Sequence, residues 1–267
     1  MALPTKKARE AASLAELVWV LYGPPGIGKS TLVSAMSWDG RDPLFLHTTP
    51  VKYIDAMKEP IPTWRKFCAV VKELEARRPD RYSVLCVDTI DVLYAHCRTD
   101  VMEKKGLDHE SDLDHGKGWD MVDKEFTARV ARLVTLGYGV VFISHGFERE
   151  IKTRVVSYTK MVPSLKPAAW RKLFPLADIV GYCGFSNFEE GSESAKTPRR
   201  IWFEPTEFIE CKDWTGKLPK CQVMHRDPRR TVAELLAALK GSKPVAGGPT
   251  KAGGKAPAKR VLAKRSA

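Results

Sequence analysis

The chain has 267 residues, 43% of them hydrophobic, and its 44 lysines and arginines outnumber its 32 acidic residues, giving a formal net charge of +12. This length allows one or two domains with a sizeable core. No stretch approaches the roughly 18 apolar residues of a membrane-spanning helix, so we expect no membrane partner. The excess positive charge indicates a polyanionic partner, with nucleic acid first; the alternative is a basic surface without such a partner.

The cysteines and the first residues bear on the cellular compartment. Six cysteines are spread along the chain without a CxxC pair, which argues against a zinc ribbon. Residues 1–10 carry charge but no apolar segment of the kind found in signal peptides. We therefore expect reduced cysteines and a cytoplasmic protein.

The first half of the chain alternates between apolar strand patterns and amphipathic helix patterns. Strands are predicted at 17–22, 44–47, 83–88 and 139–145, and helices at 30–36, 64–78, 90–104 and 119–136. Continuous apolar runs such as 17–22 are typical of parallel strands buried on both faces. The alternation predicts an α/β fold in which helices flank a mostly parallel central sheet.

The second half is richer in strands and then loses its apolar residues. Strands are predicted at 153–162, 178–185, 200–203 and 207–211, with helices at 168–174 and 231–239. After Gly241 the chain is dominated by Gly, Pro, Ala and Lys, with seven basic residues and no acid. We predict an N-terminal extension (1–16), a folded core (17–240) and a disordered basic tail (241–267).

A glycine-rich loop follows the first strand and precedes the first helix. It matches GxxxxGK[ST] without a gap, as Gly23-Pro24-Pro25-Gly26-Ile27-Gly28-Lys29-Ser30-Thr31. Glycines let several backbone N–H groups point at phosphates, and the helix N-terminus adds partial positive charge. Lys29 would neutralise the β- and γ-phosphates, and the Ser30 hydroxyl would ligate Mg²⁺. The motif predicts binding of ATP with magnesium.

Two further polar residues end buried strands. Asp88 ends the strand 83–88, where a carboxylate can hold the magnesium ion; the alternative is a helix N-cap, and Asp91 is a weaker metal candidate. His145 ends the strand 139–145 at the edge where open parallel sheets bind ligands, so it can sense the γ-phosphate or position water. The alternative is a buried structural histidine.

Acids and histidines also cluster between the third and fourth predicted helices. The cluster meets no established metal-ligand spacing, and we predict a solvated loop; its members are Asp108, His109, Glu110, Asp112, Asp114 and His115.

Beyond the P-loop, the segments 87–90 and 142–145 resemble the Walker-B and sensor strands of the RecA-like ATPases. The chain is most similar to the small, core-only versions of bacteriophages, labelled phage nucleotide-binding or AAA-type ATPases, some of which act in single-strand annealing and recombination. The resemblance implies a RecA-like P-loop NTPase fold, an ATPase that binds single-stranded DNA, assembly into a homo-oligomeric filament or ring, and a location in the bacterial host cytoplasm if a phage encodes it.

The resemblance also implies roles for residues outside the nucleotide loop. The segment 146–166 falls where the family places a mobile DNA-binding loop, with Arg149, Lys152 and Arg154 as its basic members. The segment 210–214 resembles a late strand whose basic residues reach a neighbour's ATP, which makes Lys212 the trans-acting catalytic candidate.

Two departures from the family pattern predict slow hydrolysis. Thr49 stands where the family carries a catalytic glutamate, and Trp214 stands where a second basic residue is expected. Three other functions stay open: an AAA+ helicase loader or remodeller, a P-loop small-molecule kinase, and a binding module that uses ATP as a switch. The strand-rich segment after His145 argues against the helical lid of the first, and the chain shows no obvious lid insertion for the second.

Overall fold

The computed structural model describes residues 16–76, 81–113, 116–152, 157–186 and 198–241. The elements of its first half are β1 (Val18–Gly23), α1 (Lys29–Ser34), β2 (Leu44–His47), β3 (Met57–Pro60), α2 (Trp64–Glu75), β4 (Leu85–Asp88), α3 (Ile90–Lys105) and α4 (Lys117–Val134). Those of its second half are β5 (Val140–Lys152), β6 (Ser157–Pro163), α5 (Pro167–Leu173), β7 (Ile179–Phe185), β8 (Arg199–Trp202), β9 (Lys212–Asp213), β10 (Cys221–Val223) and α6 (Pro228–Leu239).

A single sheet organises the described residues. Its strand order is β10-β8-β7-β1-β5-β4-β2-β3, and all neighbours from β7 to β3 are parallel. Strands β8 and β10 extend one edge in antiparallel fashion, β9 pairs antiparallel with β7, and β6 pairs antiparallel with β5. The predicted α/β fold, with a mostly parallel sheet and a strand-rich C-terminal part, is confirmed.

The central strand β1 shows why the sheet must be covered on both faces. All six of its residues are buried, and successive side chains point to opposite faces. Val18 and Val20 join the apolar cluster formed with α2, α3, α4 and α5, whereas Trp19 and Leu21 join the cluster formed with α1 and α6. Because β1, β4 and β5 pair in parallel, the carboxyl ends of β1 and β4 lie beside the middle of β5, at Ile143 and His145, along one sheet edge.

The largest difference from the sequence predictions lies in the second half of β5, after His145. The predicted strand ends at His145, but β5 continues to Lys152 and forms a hairpin with β6, in register from Gly146↔Pro163 to Lys152↔Ser157. In this extension, exposed and half-buried residues replace the continuous apolar run of the first half of β5. The hydrophobic pattern of the sequence therefore did not predict that the strand continues.

Smaller differences concern short elements. Strands β3 and β10 have few buried residues and were not predicted, because they carry no apolar pattern. The predicted strand 207–211 contains only a bridge between Ile209 and Met161. Among the described residues, no helix is both long enough and apolar enough to cross a bilayer. Of the predicted tail 241–267 and the predicted N-terminal extension 1–16, residues 242–267 and 1–15 lie outside the described part of the chain.

Candidate functional site

The glycine-rich loop occupies the turn between β1 and α1, as predicted. Gly23 has a φ of 144°, and a Cβ there would lie 2.0 Å from the carbonyl oxygen of Cys183 on the neighbouring strand β7. Gly28 has a φ of 105° and immediately precedes α1, and a Cβ there would lie 2.6 Å from Nη1 of Arg199. Both positions favour glycine because of their positive φ, and Gly23 does so also because the backbone of Cys183 leaves no space for a side chain. The loop therefore leads its backbone directly into the N-terminus of α1, where anions bind.

Lys29 is the first residue of α1 and is buried. Its Nζ donates to the carbonyl oxygens of Gly23, at 2.8 Å, and Pro24, at 2.9 Å. Burial lowers the pKa of the Lys29 ammonium, and the nearby Asp88 and Asp91 oppose that shift. A desolvated cation held only by neutral carbonyls gains most from an anionic ligand, so this position suits phosphate.

Asp88 ends β4 directly beside the loop. Its Oδ2 accepts a hydrogen bond of 2.6 Å from the Ser30 hydroxyl. Burial raises the pKa of the Asp88 carboxyl, while the Ser30 hydrogen bond and the charge of Lys29 act in the opposite direction. The alternative of a helix N-cap receives no support, because Thr89 is the N-cap of α3 and the Thr89 amide donates to the Thr48 hydroxyl at 2.9 Å.

His145 lies beside Gly23 in the register of β5 and β1. Its Nδ1 lies 2.7 Å from Oδ2 of Asp91, in the first turn of α3. The same Asp91 oxygen accepts a hydrogen bond of 3.1 Å from the hydroxyl of Ser164, the residue after β6. The imidazole is 40% exposed, so the alternative of a fully buried structural histidine does not apply.

These residues border one cavity of about 270 Å³. Its lining comprises Pro25, Gly26, Gly28, Lys29, Ser30, Thr31, Thr49, Pro50, Val51, Asp88, Thr89, Ile143 and His145. The nearby carboxylate of Asp55 lines a different cavity, with Asp227 and Arg229. The cavity thus brings together the glycine-rich loop, the end of β4 and His145 of β5, and Thr49 is part of its lining.

The residues at the cavity fit magnesium and a triphosphate. The Ser30 hydroxyl and the Asp88 carboxylate are adjacent oxygen ligands of the kind that Mg²⁺ prefers. Lys29 and the start of α1 supply the positive charge that phosphates need. A bound magnesium ion would neutralise charge on the phosphates, held by Ser30 and Asp88.

Several residues of the site were not predicted or were given another role. Asp91 was predicted only as a weaker metal candidate, yet it lies one helical turn after Asp88 and holds His145. Ser164, Thr48 and Arg199 were not singled out. The Nη1 of Arg199 donates to the carbonyl oxygen of Ile27 at 3.1 Å, which braces the loop from β8. The position of Asp91, three residues after Asp88, could have indicated its place at the site. Thr48, Ser164 and Arg199 lie at the ends of strands that are distant in the sequence, so no local pattern connects them with the site.

The segment expected as a mobile DNA-binding loop is a β-hairpin in its described residues. The Arg149 guanidinium carbon lies 5.5 Å from the centre of the Phe147 ring, and Lys152 forms a 3.2 Å ion pair with Glu150. Arg154 lies outside the described residues. Acids and bases therefore alternate on this hairpin, and Phe147 is exposed.

The predicted trans-acting Lys212 is buried within its own subunit. Its Nζ donates to the carbonyl oxygens of Phe174, at 2.9 Å, and Ala177, at 2.5 Å, and lies 3.2 Å from the centre of the Trp214 ring. Burial lowers the pKa of the Lys212 ammonium. In this conformation the ammonium binds carbonyl oxygens in the turn that follows α5, and the trans-acting role of Lys212 stays a prediction.

The acidic and histidine cluster serves local structure. Glu110 is buried and forms a two-pronged ion pair with Arg98, and His109 and Asp112 cap a short 3₁₀ turn. Asp114 and His115 lie outside the described residues. Within the described part of the chain, no group of three or more His, Cys, Asp or Glu side chains could hold a metal.

Comparison with known proteins identifies the family. The model of an AAA domain, a family of nucleotide-binding ATPases, matches residues 15–215, about three quarters of the chain. No curated protein matches the sequence. The matched segment contains the loop, Asp88 and His145, the parts that form the cavity. The chain belongs to the AAA domain family of P-loop ATPases.

Proposed function

We propose that this protein binds ATP with magnesium, hydrolyses it slowly, and acts on DNA in phage-type recombination or single-strand annealing. The observation that carries the nucleotide part is the convergence of Lys29, Ser30 and Asp88 on one cavity at the end of the parallel strands. Ligands of open α/β sheets bind at this edge.

Different residues of the cavity bind the phosphates and the magnesium ion. The backbone N–H groups of the loop and of the N-terminus of α1 donate hydrogen bonds to the phosphate oxygens. Lys29 exchanges its two carbonyl partners for phosphate oxygens. Ser30 and Asp88 would hold a magnesium ion, which would supply polarisation of the terminal phosphate. The reaction transfers the terminal phosphoryl group to water and releases ADP.

Slow turnover follows from the residue at the cavity rim. Thr49 borders the cavity where a carboxylate would polarise the attacking water. A hydroxyl is a weak base near neutral pH, so it contributes little to proton transfer.

The DNA part rests on charge, on the course of β5 and on the family resemblance. The chain carries a net charge of +12, of which seven positive charges lie in 241–267 and leave +5 for the rest. Strand β5 carries His145 at the cavity and Arg149 and Lys152 on the hairpin, so one continuous strand links nucleotide and candidate DNA contacts. Assembly into a filament or ring is the expected working form.

The first experiment measures ATPase activity with and without single-stranded DNA, alongside mass photometry. We expect slow basal turnover that single-stranded DNA stimulates, and assembly in the presence of ATP. Lys29→Ala should lose ATP binding and turnover, while the control Lys124→Ala, on the exposed surface of α4, should behave as wild type. ATP affinity that survives in Lys29→Ala would contradict the nucleotide proposal.

The second experiment separates the hairpin from the tail as DNA contacts. For single strands, log K falls with log salt by about 0.7 per phosphate contact. The double variant Arg149→Ala, Lys152→Ala and a chain ending at Gly241 should each flatten this slope. A salt slope unchanged in both would argue against DNA binding through either segment.

An AAA-type helicase loader or remodeller is the second candidate, and the match to an AAA domain favours it. The described residues after β7 form three short strands and one helix, α6. One helix does not make the C-terminal helical lid that such loaders carry. A loader should be stimulated by a partner protein and respond little to DNA alone, so the first experiment distinguishes the two.

A further inference from the structure

The contact between His145 and Asp91 determines both the position of the imidazole ring and which of its nitrogens carries a proton. Oδ2 of Asp91 lies 2.7 Å from Nδ1 of His145 and 3.1 Å from the hydroxyl of Ser164. Asp91 is only 16% exposed, and its other oxygen is buried without a hydrogen bond in the described part of the chain. The three residues come from α3, the middle of β5 and the end of β6, so the contact depends on the folded core.

The carboxylate determines which ring nitrogen carries the proton. An ionised carboxylate only accepts hydrogen bonds, so Nδ1 of His145 must donate. A neutral imidazole with its proton on Nδ1 has a lone pair on Nε2. That nitrogen is an acceptor, and it cannot donate to an oxygen of the γ-phosphate. The geometry therefore favours contact with a proton donor, such as a water molecule in the cavity.

The rest of the cavity lining offers few other proton acceptors. Asp88 is engaged by Ser30 and faces the charge of Lys29. Thr31 and Thr49 present hydroxyls, which are weak bases, and the remaining lining residues are glycine, proline, apolar or Thr89. Among the described residues that line the cavity, His145 is the side chain that presents a nitrogen lone pair able to accept a proton.

We infer that His145 is the general base of ATP hydrolysis and that Asp91 and Ser164 position it, an inference that rests on the proposed ATPase function. The oxygen of water forms a bond to the γ-phosphorus while the bond from that phosphorus to the bridging oxygen of ADP breaks. The water proton moves to Nε2, and the Asp91 carboxylate stabilises the imidazolium. The proton then passes to solvent, which regenerates the base. His145 thus supplies a proton acceptor in a cavity where Thr49 supplies none, and without a carboxylate at Thr49 hydrolysis stays slow.

The test compares variants in single-turnover hydrolysis and in equilibrium ATP binding. His145→Gln keeps a donor and the approximate size but lacks the lone pair of a base, and His145→Ala removes both. Both should lower the rate by about 10²- to 10⁴-fold, the usual contribution of general-base catalysis, and change ATP affinity less than about threefold. Asp91→Asn should lower the rate comparably, since an amide permits the wrong tautomer.

Matched controls and a fold check accompany these variants. His96→Gln, on the same helix as Asp91 but in a different cavity, and Asp120→Asn, exposed on α4, should keep the wild-type rate. Thermal unfolding establishes which variants are folded; if His145→Ala is not, His145→Gln decides.

The outcomes separate this inference from the proposed function. If the wild type hydrolyses ATP and Lys29→Ala does not, but His145→Gln keeps the wild-type rate, His145 acts as a hydrogen-bond donor and the inference is overturned. A loss of ATP affinity equal to the loss of rate would also overturn it, because the residue would then contribute to binding. A wild type that binds ATP without hydrolysing it would refute the ATPase function itself.

Discussion

The Ser30 hydroxyl lies 2.6 Å from Oδ2 of Asp88, although 58 residues separate them in the sequence. The contact joins the first turn of α1 to the end of β4, and both groups are oxygen ligands suited to magnesium. Asp88→Asn keeps an oxygen that can accept from Ser30, but it removes the charge. We expect the fold to persist. In a magnesium titration, the effect of magnesium on ATP binding and on turnover should be at least about tenfold smaller than in the wild type.

The stability of the Asp88 variant gives an independent check. Burial raises the pKa of Asp88, so the charged carboxylate is disfavoured in the ligand-free protein. Asp88→Asn should therefore unfold at the same temperature as the wild type or higher, without nucleotide. An unaltered magnesium dependence would mean that Asp88 has only a structural role.

Thr49→Glu tests why hydrolysis is slow. Thr49 borders the cavity, and a carboxylate there could polarise water in addition to His145. We expect turnover to rise several-fold with little change in ATP affinity, and we expect part of the activity lost in His145→Ala to return. The control Thr49→Gln has similar size and no basic carboxylate, and it should not raise turnover. Fast turnover in the wild type would contradict the premise.

Much of this architecture is visible in the sequence because burial on two faces leaves a strong signal. Strands such as β1 are continuously apolar, and the loop motif identifies the edge at which the site forms. Thr89 and Thr48 could not be assigned, because their hydrogen bonds depend on the pairing of β2 with β4. The contact of His145 with Asp91 depends in the same way on how α3 packs beside β5. Local patterns report burial, whereas side-chain partners depend on tertiary geometry.

The role that the family resemblance implies for Lys212 can be tested against the contacts of its side chain. Its ammonium donates to the carbonyl oxygens of Phe174 and Ala177. Lys212→Ala leaves both carbonyls without this donor, and we expect a loss of about 1–3 kcal/mol in the free energy of unfolding. The loss should be the same in dilute monomer and in assemblies. The control Lys220→Ala, an exposed lysine nearby, should change stability little. Normal stability with activity lost only in assemblies would support the trans-acting role.

Arg98 and Glu110 provide a pH-dependent test of the segment between α3 and α4. The Glu110 side chain is fully buried, and its hydrogen bonds with Arg98 lower the pKa of its carboxyl. Arg98→Ala leaves a buried carboxylate whose remaining ionic partner among the described residues is His109, 3.5 Å away. We expect a loss of about 1–3 kcal/mol in the free energy of unfolding at neutral pH, below the usual range for a buried pair because Arg98 is partly exposed.

The pH dependence of that loss follows from the direction of the Glu110 shift. A carboxyl whose pKa is lower in the folded than in the unfolded protein stabilises the fold fully above its unfolded pKa, about 4.3. The stabilisation disappears as pH falls through the folded pKa. Urea unfolding of wild type and Arg98→Ala should therefore differ most at pH 7 and converge in acid. Arg132→Ala, which removes the exposed pair with Glu75, should differ little from wild type at any pH, because solvent screens that pair. A difference between wild type and Arg98→Ala that stays constant down to acidic pH would show that the arginine stabilises through packing of its aliphatic chain and not through Glu110.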